Sequence, residues 1–455
     1  MNIPEGAKHI IDTLVSHGFE AYIVGGCVRD MLLDREPEDW DITTSAKPEE
    51  VKSLFRRTID TGIEHGTVTV MIKDEGFEVT TYRMDGVYED HRHPKEVTFT
   101  PNLEEDLKRR DFTINAMAYN DKAGVIDLFD GRKDLKNGII RCVGDPMERF
   151  DEDALRMLRG IRFAGQLQFT IDDDTLAAIE RLSDTLVNVS AERIRVELTK
   201  LLISDGADRL RLAYETGLSK YFLPELDDMI NTQQNNPHHC YSVGEHSMHV
   251  VEYINAAVKE KNTPNGIIDK RSHVALVFAG LLHDVAKPKC KTTDEKGVDH
   301  FHGHDALGEK MSGEILRRLR FDNDTISLVK CLVRNHDLRY HDCKNRGMRR
   351  IAGRLGKDRM PFLFLLQRAD TLAQSEYKRQ EKLAVLDAGM SLYDEICEAN
   401  DAVTVAELKI SGRDLIDEKG YESGPAIGAE LNRLLEMVMD DPSLNTKERL
   451  LDAVR

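Results

Sequence analysis

Two glycines, a short helical stretch and a pair of carboxylates one residue apart constrain this chain more than anything else in it. The stretch is Gly25-Gly26-Cys27-Val28-Arg29-Asp30, and twelve residues separate Gly26 from Asp39-Trp40-Asp41-Ile42. Side chains alternate along a strand, so Asp39 and Asp41 are expected on one face, with Trp40 and Ile42 on the other. Two hard oxygen donors held side by side suit Mg²⁺ carrying a nucleoside triphosphate. Glycines ahead of a helix let the backbone approach phosphates closely. Alone, Asp-x-Asp is an ordinary solvated strand edge and Gly-Gly an ordinary turn. In this order and spacing, with Arg29-Asp30 opening the helix between them, coincidence explains them poorly.

The surrounding sequence suits that use. Ala21-Tyr22-Ile23-Val24 reads as a buried strand after a helix carrying Ile10, Ile11, Leu14 and Val15. Strand-like runs at 66–72 and 77–82 flank Asp74-Glu75-Gly76, a hairpin signal. Between Met84 and Pro101 the sequence is polar, contains proline and is too irregular for either element. Residues 1–142 are therefore expected to form an α/β head with a mixed sheet and helices. The motif resembles the signature of the polymerase-β nucleotidyltransferase superfamily.

From Asp145 onward the pattern turns helical, and a mostly α-helical remainder is expected. Asp145-Pro146-Met147-Glu148 offers an N-cap, a proline at the first helical position and a capping-box glutamate. On that helix Asp153 and Arg156 lie three apart and would be neighbours. A carboxylate accepts hydrogen bonds and a guanidinium donates them. Together they complement cytosine and adenine, each with an amino donor beside a ring acceptor. Uracil and guanine reverse that order and leave groups unpaired. The competing reading is a surface ion pair of little worth. Arg159 continues the spacing towards phosphates, whereas Arg162 turns nearly opposite Asp153 and needs a long reach.

Five stretches, taken in order, carry a family resemblance over roughly the first half of the chain. They are Gly25-Gly26-x-x-Arg29-Asp30; Asp39-x-Asp41; Arg109-Arg110-Asp111-Phe112-Thr113-Ile114-Asn115-Ala116; Asp127 through Asp130-Gly131-x-x-Asp134-Leu135; and Glu152-Asp153-x-x-Arg156-x-x-Arg159. They resemble the bacterial class II CCA-adding enzymes, tRNA nucleotidyltransferases that build or repair the 3′ CCA end. The resemblance implies Asp39 and Asp41 as Mg²⁺ ligands, with Arg110 acting beside them in catalysis. It places Gly25, Gly26, Arg29, Arg110, Asp153, Arg156, Arg159 and Arg162 around the incoming nucleotide. It further implies CTP and ATP as substrates, tRNA as acceptor, pyrophosphate as product and a two-metal mechanism. A third carboxylate is common in the superfamily; Glu78 is a candidate, against the plainer reading of a solvated strand glutamate. The Met84–Pro101 segment resembles the family's flexible loop, associated with switching to adenine addition.

Eleven of the sixteen histidines fall between His238 and His341. In order, His246, His283-Asp284, His304, His336 and the later Asp370 make a candidate metal site. The core Leu281-Leu282-His283-Asp284-Val285-Ala286-Lys287 resembles an HD-domain site, with room for a second metal. Imidazole and carboxylate donors suit Mn²⁺, Fe²⁺, Ni²⁺ or Co²⁺, and such an ion would activate water against a phosphoester. His300 and His302 compete with His304 for one role, and His249 competes with His246. Asn231 through Pro237, polar and proline-ended, reads as a linker. The expected organisation is a head at 1–142, a helical neck that reads the base and binds RNA at 143–230, an HD domain at 231–375 and a helical tail gripping the tRNA body at 376–455.

A net charge of −18 argues naively against a nucleic-acid partner, but binding needs only a local basic surface. Lys108-Arg109-Arg110 and the run Arg346, Arg349, Arg350, Arg354 are candidates, each also readable as a solvated helix face. No apolar run suggests a membrane span, and the N-terminus lacks signal-peptide character. Seven cysteines without Cys-x-x-Cys oppose a disulfide framework or zinc ribbon, so the cytoplasm is expected. The leading reading is CCA addition. Its rivals are a bacterial poly(A) polymerase or an enzyme adding only A, a metal-dependent HD phosphohydrolase with a vestigial head, and a non-catalytic RNA-binding protein. The last would not need the carboxylate pair.

Overall fold

Strand pairing decides where the paired carboxylates sit. The computed structural model describes residues 3–85, 97–261, 263, 268–341 and 343–455. The head strands are β1 (Ala21–Val24), β2 (Ile42–Thr44), β3 (Thr58–Gly62), β4 (Thr67–Ile72), β5 (Glu75–Thr81), β6 (Arg83–Asp85), β7 (Val97–Phe99), β8 (Met117–Asn120) and β9 (Gly124–Asp127). Seven of them form one mixed sheet in the order β3-β4-β5-β2-β1-β8-β9. β2 runs antiparallel to β1 and parallel to β5, with Ile42 opposite both Ile23 and Val79. Asp39 and Asp41 precede β2 rather than lying within it. Asp41 is still tied to the sheet, because its carbonyl accepts the Val24 N–H at 3.0 Å.

Helix α1 (Glu5–Ser16) buries Ala7, Ile10, Ile11 and Leu14, while Val15 turns out to solvent. The β4–β5 hairpin turns at Lys73-Asp74, one step earlier than the expected Asp74-Glu75-Gly76, because Ile72 pairs with Glu75. Lys73 takes the positive φ of 57° that the turn requires. The Met84–Pro101 segment is more ordered at its ends than its composition suggests. β6 and β7 form an antiparallel ladder from Arg83/Phe99 to Asp85/Val97. Residues 86–96, the middle of the expected loop, lie outside the described residues.

The head helices continue with α2 (Gly26–Leu32), α3 (Pro48–Leu54), α4 (Leu103–Lys108) and α5 (Gly131–Asn137). After them come α6 (Pro146–Glu152), α7 (Leu155–Leu167), α8 (Asp173–Leu182), α9 (Ala191–Leu202), α10 (Leu210–Glu215) and α11 (Pro224–Asn231). Asp145 caps α6 through the Met147 N–H at 2.9 Å. The single helix expected across Asp153 is in fact two. Asp153 is extended, with φ −145° and ψ 101°, and its Oδ1 accepts the Leu155 N–H at 3.2 Å. A short carboxylate that caps the next helix competes with helix continuation.

The chain divides into two compact units, up to Asp227 and from Asp228 onward, so the division falls within α11. The second unit contains α12 (Val243–Lys259), α13 (Lys270–Leu282), α14 (Lys287–Cys290), α15 (His304–Arg318), α16 (Asn323–Asn335), α17 (Asn345–Leu355), α18 (Met360–Ala373) and α19 (Arg379–Glu398). Residues 275–282 of α13 are buried without a break, which carries His283 and Asp284 into the interior. The expected linker 231–237 lies just after that division and is mostly exposed, with its backbone tied down where the Asn235 N–H donates to Asp299 Oδ2 at 2.7 Å. The basic run on α17 is spent on ion pairs, Arg346 with Asp440, Arg349 with Asp401 and Arg350 with Glu436. Of the run, only Arg349 is buried; Arg346 and Arg350 stay about half exposed, and Arg354 reaches Asn335 instead of an acid. Among the described residues no helix is long and apolar enough to cross a membrane.

Candidate functional site

Gly25 takes φ 83°, a conformation strained for any residue with a Cβ. A Cβ there would also stand 3.1 Å from Arg110 Nη1, so the glycine both turns the chain into α2 and leaves room for that guanidinium. Arg110 is held by fully buried Asp106 at 3.4 Å, and Asp106 also binds Arg109 at 2.7 Å and the Thr43 hydroxyl at 3.1 Å. The Arg110 Nε is buried without a partner, a donor in reserve. Asp41 is exposed, yet its pKa is raised from the ordinary aspartate value. Desolvation by the surrounding head is the main cause; the charges of Glu78 and Asp39 add to it, against the pull of Arg110. Like charges crowded together in this way are what a hard cation relieves. The donor set thus fits Mg²⁺ at Asp39 and Asp41, with Glu78 beside them.

Three of the expected nucleotide contacts come together around a residue the sequence did not single out. The Phe163 ring lies under three guanidinium groups, Arg162 at 3.8 Å, Arg29 at 5.1 Å and Arg159 at 5.4 Å from its centroid. Three cations on one ring repel each other, so the surrounding acids and amides hold them in place. Arg29 donates to Asp30 and, at 2.7 Å, to Asn115 Oδ1. Arg159 binds Asp111 at 2.6 Å, and Arg162 meets buried Glu197 at 2.5 Å. Burial pulls Arg162 down to about 10 even so. The long reach expected of Arg162 is unnecessary, because Phe163 and Glu197 carry it back to the same cluster.

Asp153 and Arg156 are each held by other groups. Asp153 receives both guanidinium nitrogens of Arg193, at 3.1 and 2.7 Å. Arg156 donates to Glu152 at 2.6 Å and to the carbonyls of Arg149 and Arg109. Their orientation is set from α9 and α6, not by i,i+3 neighbourhood on one helix. The motif Asp127 to Leu135 is scaffolding. Asp127 accepts the Gly131 and Arg132 N–H groups, and Asp134 accepts the Thr113 hydroxyl at 2.8 Å. A Cβ on Gly131 would lie 2.3 Å from the Thr113 carbonyl oxygen.

A second constellation stands in the second unit. His246, His283 and Asp370 form one set whose ligand atoms lie within 4.8 Å of one another, and Asp284, His304 and His336 form another. In His283, His304 and His336, Nδ1 lies 2.7–2.8 Å from a backbone carbonyl, of Gly280, Phe301 and Val333 respectively. That bond leaves each Nε2 for the cluster, as in metal-ligating histidines. Asp284 is reached by His283 at 3.1 Å, His304 at 3.5 Å and His336 at 3.6 Å. Burial alone would raise the Asp284 pKa, but His283 and Lys287 together hold it well below the usual range. Burial lowers His246, keeping the imidazole neutral for ligation. His283 Nε2 and both Asp284 oxygens are buried without a well-directed hydrogen bond, although the Lys287 ammonium lies 2.7 Å from Asp284 Oδ2, and this donor set fits a metal ion. His300 instead pairs with Asp294 and His249 with Glu252. His304 and His246 thus take the contested places.

Comparison with known proteins agrees with the head geometry. Residues 21–141 match the family model of the poly A polymerase head domain. Residues 168–230 match a probable RNA and SrmB-binding site of polymerase A, and residues 304–454 a putative tRNA nucleotidyltransferase domain 2. The chain is 35% identical over 450 residues to a CCA-adding enzyme of Pediococcus pentosaceus, covering 99% of this chain and 97% of that protein. A CCA-adding enzyme of Lactobacillus helveticus is 56% identical over 228 residues, 50% of this chain and 56% of the relative. In such higher-identity matches the chain spans about half the length of the curated relatives. Among solved structures, the Bacillus stearothermophilus CCA-adding enzyme in complex with CTP aligns with a TM-score of 0.72 at 29% identity, over 100% of this chain and 98% of that one. A Thermotoga maritima CCA-adding enzyme complexed with tRNA-CCA shares the fold, with a TM-score of 0.61 at 20% identity over 99% and 95% of the two chains.

Proposed function

The chain belongs to the CCA-adding enzymes, and on that premise we propose that it adds or repairs the 3′-terminal CCA of tRNA with CTP and ATP. The observation that carries this reading is the convergence of Arg110 and the Phe163 guanidinium cluster on a head whose paired carboxylates crowd one another. In the reaction the tRNA 3′-hydroxyl oxygen bonds to the α-phosphorus, the bond to the bridging oxygen breaks, and pyrophosphate leaves. Mg²⁺ held by Asp39 and Asp41, in a two-ion arrangement with Glu78 as the third carboxylate, would acidify that hydroxyl and take up charge on the leaving group. Gly25 lets the backbone come close, and Arg110, Arg29, Arg159 and Arg162 neutralise the triphosphate. Asp153 and Arg156, as acceptor and donor, accept the cytosine or adenine edge.

Arg193 is a positioning residue for that choice, because it fixes both Asp153 oxygens. Arg193→Ala is expected to lower the CTP-over-UTP ratio of kcat/KM about tenfold, the worth of one charge-assisted hydrogen bond. An unchanged ratio would show that Asp153 does not need this support. The test of the whole reading is a tRNA ending at its discriminator base, incubated with Mg²⁺ and with CTP and ATP separately and together. Three added nucleotides, C-C-A, fit the proposal. Long A tails point to a poly(A) polymerase, and A added only to tRNA-CC points to a split activity.

The histidine cluster favours a second activity in the same chain, a phosphohydrolase centre of HD type within 231–375 using Mn²⁺, Fe²⁺, Ni²⁺ or Co²⁺. Calorimetric titration of the whole protein with Mn²⁺ is expected to lose at least one equivalent in His283→Ala. Equal stoichiometry in both proteins would remove this reading. The same domain scheme assigns 1–142 as head, 143–230 as neck and 376–455 as a tail for the tRNA body.

A further inference from the structure

The histidine and aspartate cluster opens into a cavity of about 600 Å³ that basic side chains also line. Lys287, Arg339 and Lys382 line it together with Asp284, His304, His336 and Asp370. A second cavity, of about 210 Å³, shares His238, Arg339, Asp370, Gln374 and Lys382 with the first. It continues to Lys378 and His341, and the basic groups the two hollows share are Arg339 and Lys382, alongside the carboxylate of Asp370. A site for one small phosphate needs only the first hollow. Two adjoining hollows divided by shared cations match a ligand carrying two phosphates in succession.

Lys382 is central to this arrangement. It stands half-buried on α19 and donates to Gln374 Oε1, while Gln374 Nε2 donates to Asp370 Oδ1 at 3.0 Å. Its charge therefore meets an uncharged amide directly and the cluster carboxylate only through that amide. Burial first, and then the like charges of Arg339 and Lys287, weaken its hold on a proton against the pull of Asp370 and Asp337. An incoming phosphate would relieve that repulsion. Next to the lining residue His238, Tyr377 is 47% exposed and packs edge-on against that imidazole at 5.0 Å, with the Lys378 ammonium 5.9 Å from its ring centre. An exposed aromatic ring beside a cation is a stacking platform for a nucleobase. Free phosphate or a sugar phosphate would have no use for it.

We propose that this double cavity binds the phosphate-bearing end of a single-stranded oligonucleotide, with the terminal phosphate at the cluster and Lys287, and the preceding phosphodiester at Lys382 and Arg339. The assignment rests on the metal-centre reading above for the first station only. The second station is built from side chains that do not belong to the cluster. Arg339 gives up its surface pairing with Asp337 to serve it.

Fluorescence anisotropy of the full-length protein tests this. The probes are a labelled pentaribonucleotide with a 3′-phosphate, one with a 5′-phosphate and one with hydroxyls at both ends, each with and without Mn²⁺. One phosphate-terminated probe is expected to bind at least about tenfold tighter than the hydroxyl-terminated one, and which of them does so tells the polarity. Lys382→Gln combined with Arg339→Gln should remove about tenfold of that affinity, and Lys382→Arg should retain it. Competition by inorganic phosphate and the calorimetric Mn²⁺ stoichiometry should be the same in the substituted and native proteins. Equal binding of all three probes overturns the proposal, as does an equal loss of inorganic phosphate and oligonucleotide in the double variant. If the protein takes up no Mn²⁺ through His283 while the Lys382-dependent preference persists, the metal-centre reading fails and the oligonucleotide site stands.

Discussion

Replacing Asp41 with asparagine should lower the rate of nucleotide addition by about 10³-fold or more while leaving the protein at least as stable as before. The loss follows from removing one oxygen donor and a negative charge where a metal ion supplies several kcal/mol of transition-state stabilisation, at about 1.4 kcal/mol per factor of ten. The stability half of the expectation is the more discriminating. Asp41 sits above its usual pKa because of desolvation and the charges of Glu78 and Asp39. Neutralising it removes repulsion from the metal-free fold, so Tm should hold or rise. Extension of a tRNA lacking CCA, run beside a thermal melt, reads both quantities. More than a tenth of native activity in Asp41→Asn would show that the pair does not serve as the metal seat, and a large fall in Tm would show that Asp41 is a structural residue.

The largest loss of stability is expected at Glu197. This side chain is 4% exposed and faces Arg162, itself 6% exposed, with Arg159 at 3.7 Å. Glu197→Ala leaves a buried guanidinium without its anion, a change that costs about 3–5 kcal/mol. For a unit of this size, at roughly 2–4 °C per kcal/mol, Tm should fall by about 10 °C. Saturating CTP should restore part of the loss, because the triphosphate offers Arg162 a new anion. Removing both partners in Glu197→Leu with Arg162→Met should recover most of the stability but weaken CTP binding. Differential scanning calorimetry with and without CTP separates these outcomes. If Glu197→Ala melts within 2 °C of the native protein, roughly the effect of a single kcal/mol at this size, the pair is not the buried anchor inferred for it.

The head was legible because its chemistry is local. Gly25, the Asp39–Asp41 pair and strand Ala21–Val24 lie within a short stretch, and each follows from residue type and spacing. Asp153 and Arg156 were legible as residues but not as geometry. Helical periodicity placed them on one helix, whereas the extended backbone at Asp153 gives them separate partners in Arg193 and Glu152. Arg193, Asp106, Glu197 and Phe163 carried no signal, because a buried acid or an aromatic on a helix looks like ordinary core until its partner is known. The histidines were legible as an ordered set, yet their spacing alone left His300, His302 and His304 equivalent.

What the sequence determined by itself is therefore the chemistry on offer: two carboxylates and glycines of the kind that suit a metal-bound triphosphate, arginines that suit its charge, and an ordered set of imidazoles and aspartates of metal-ligating type. Tertiary structure alone decided which of those groups meet. Guanidinium groups from α2 and α7 converge on one ring because β-sheet pairing and helix packing bring residues over a hundred positions apart within a few ångströms. His246 reaches Asp370 in the same way, across 124 positions. No local pattern encodes such distances, since they arise from burying apolar faces that belong to different elements.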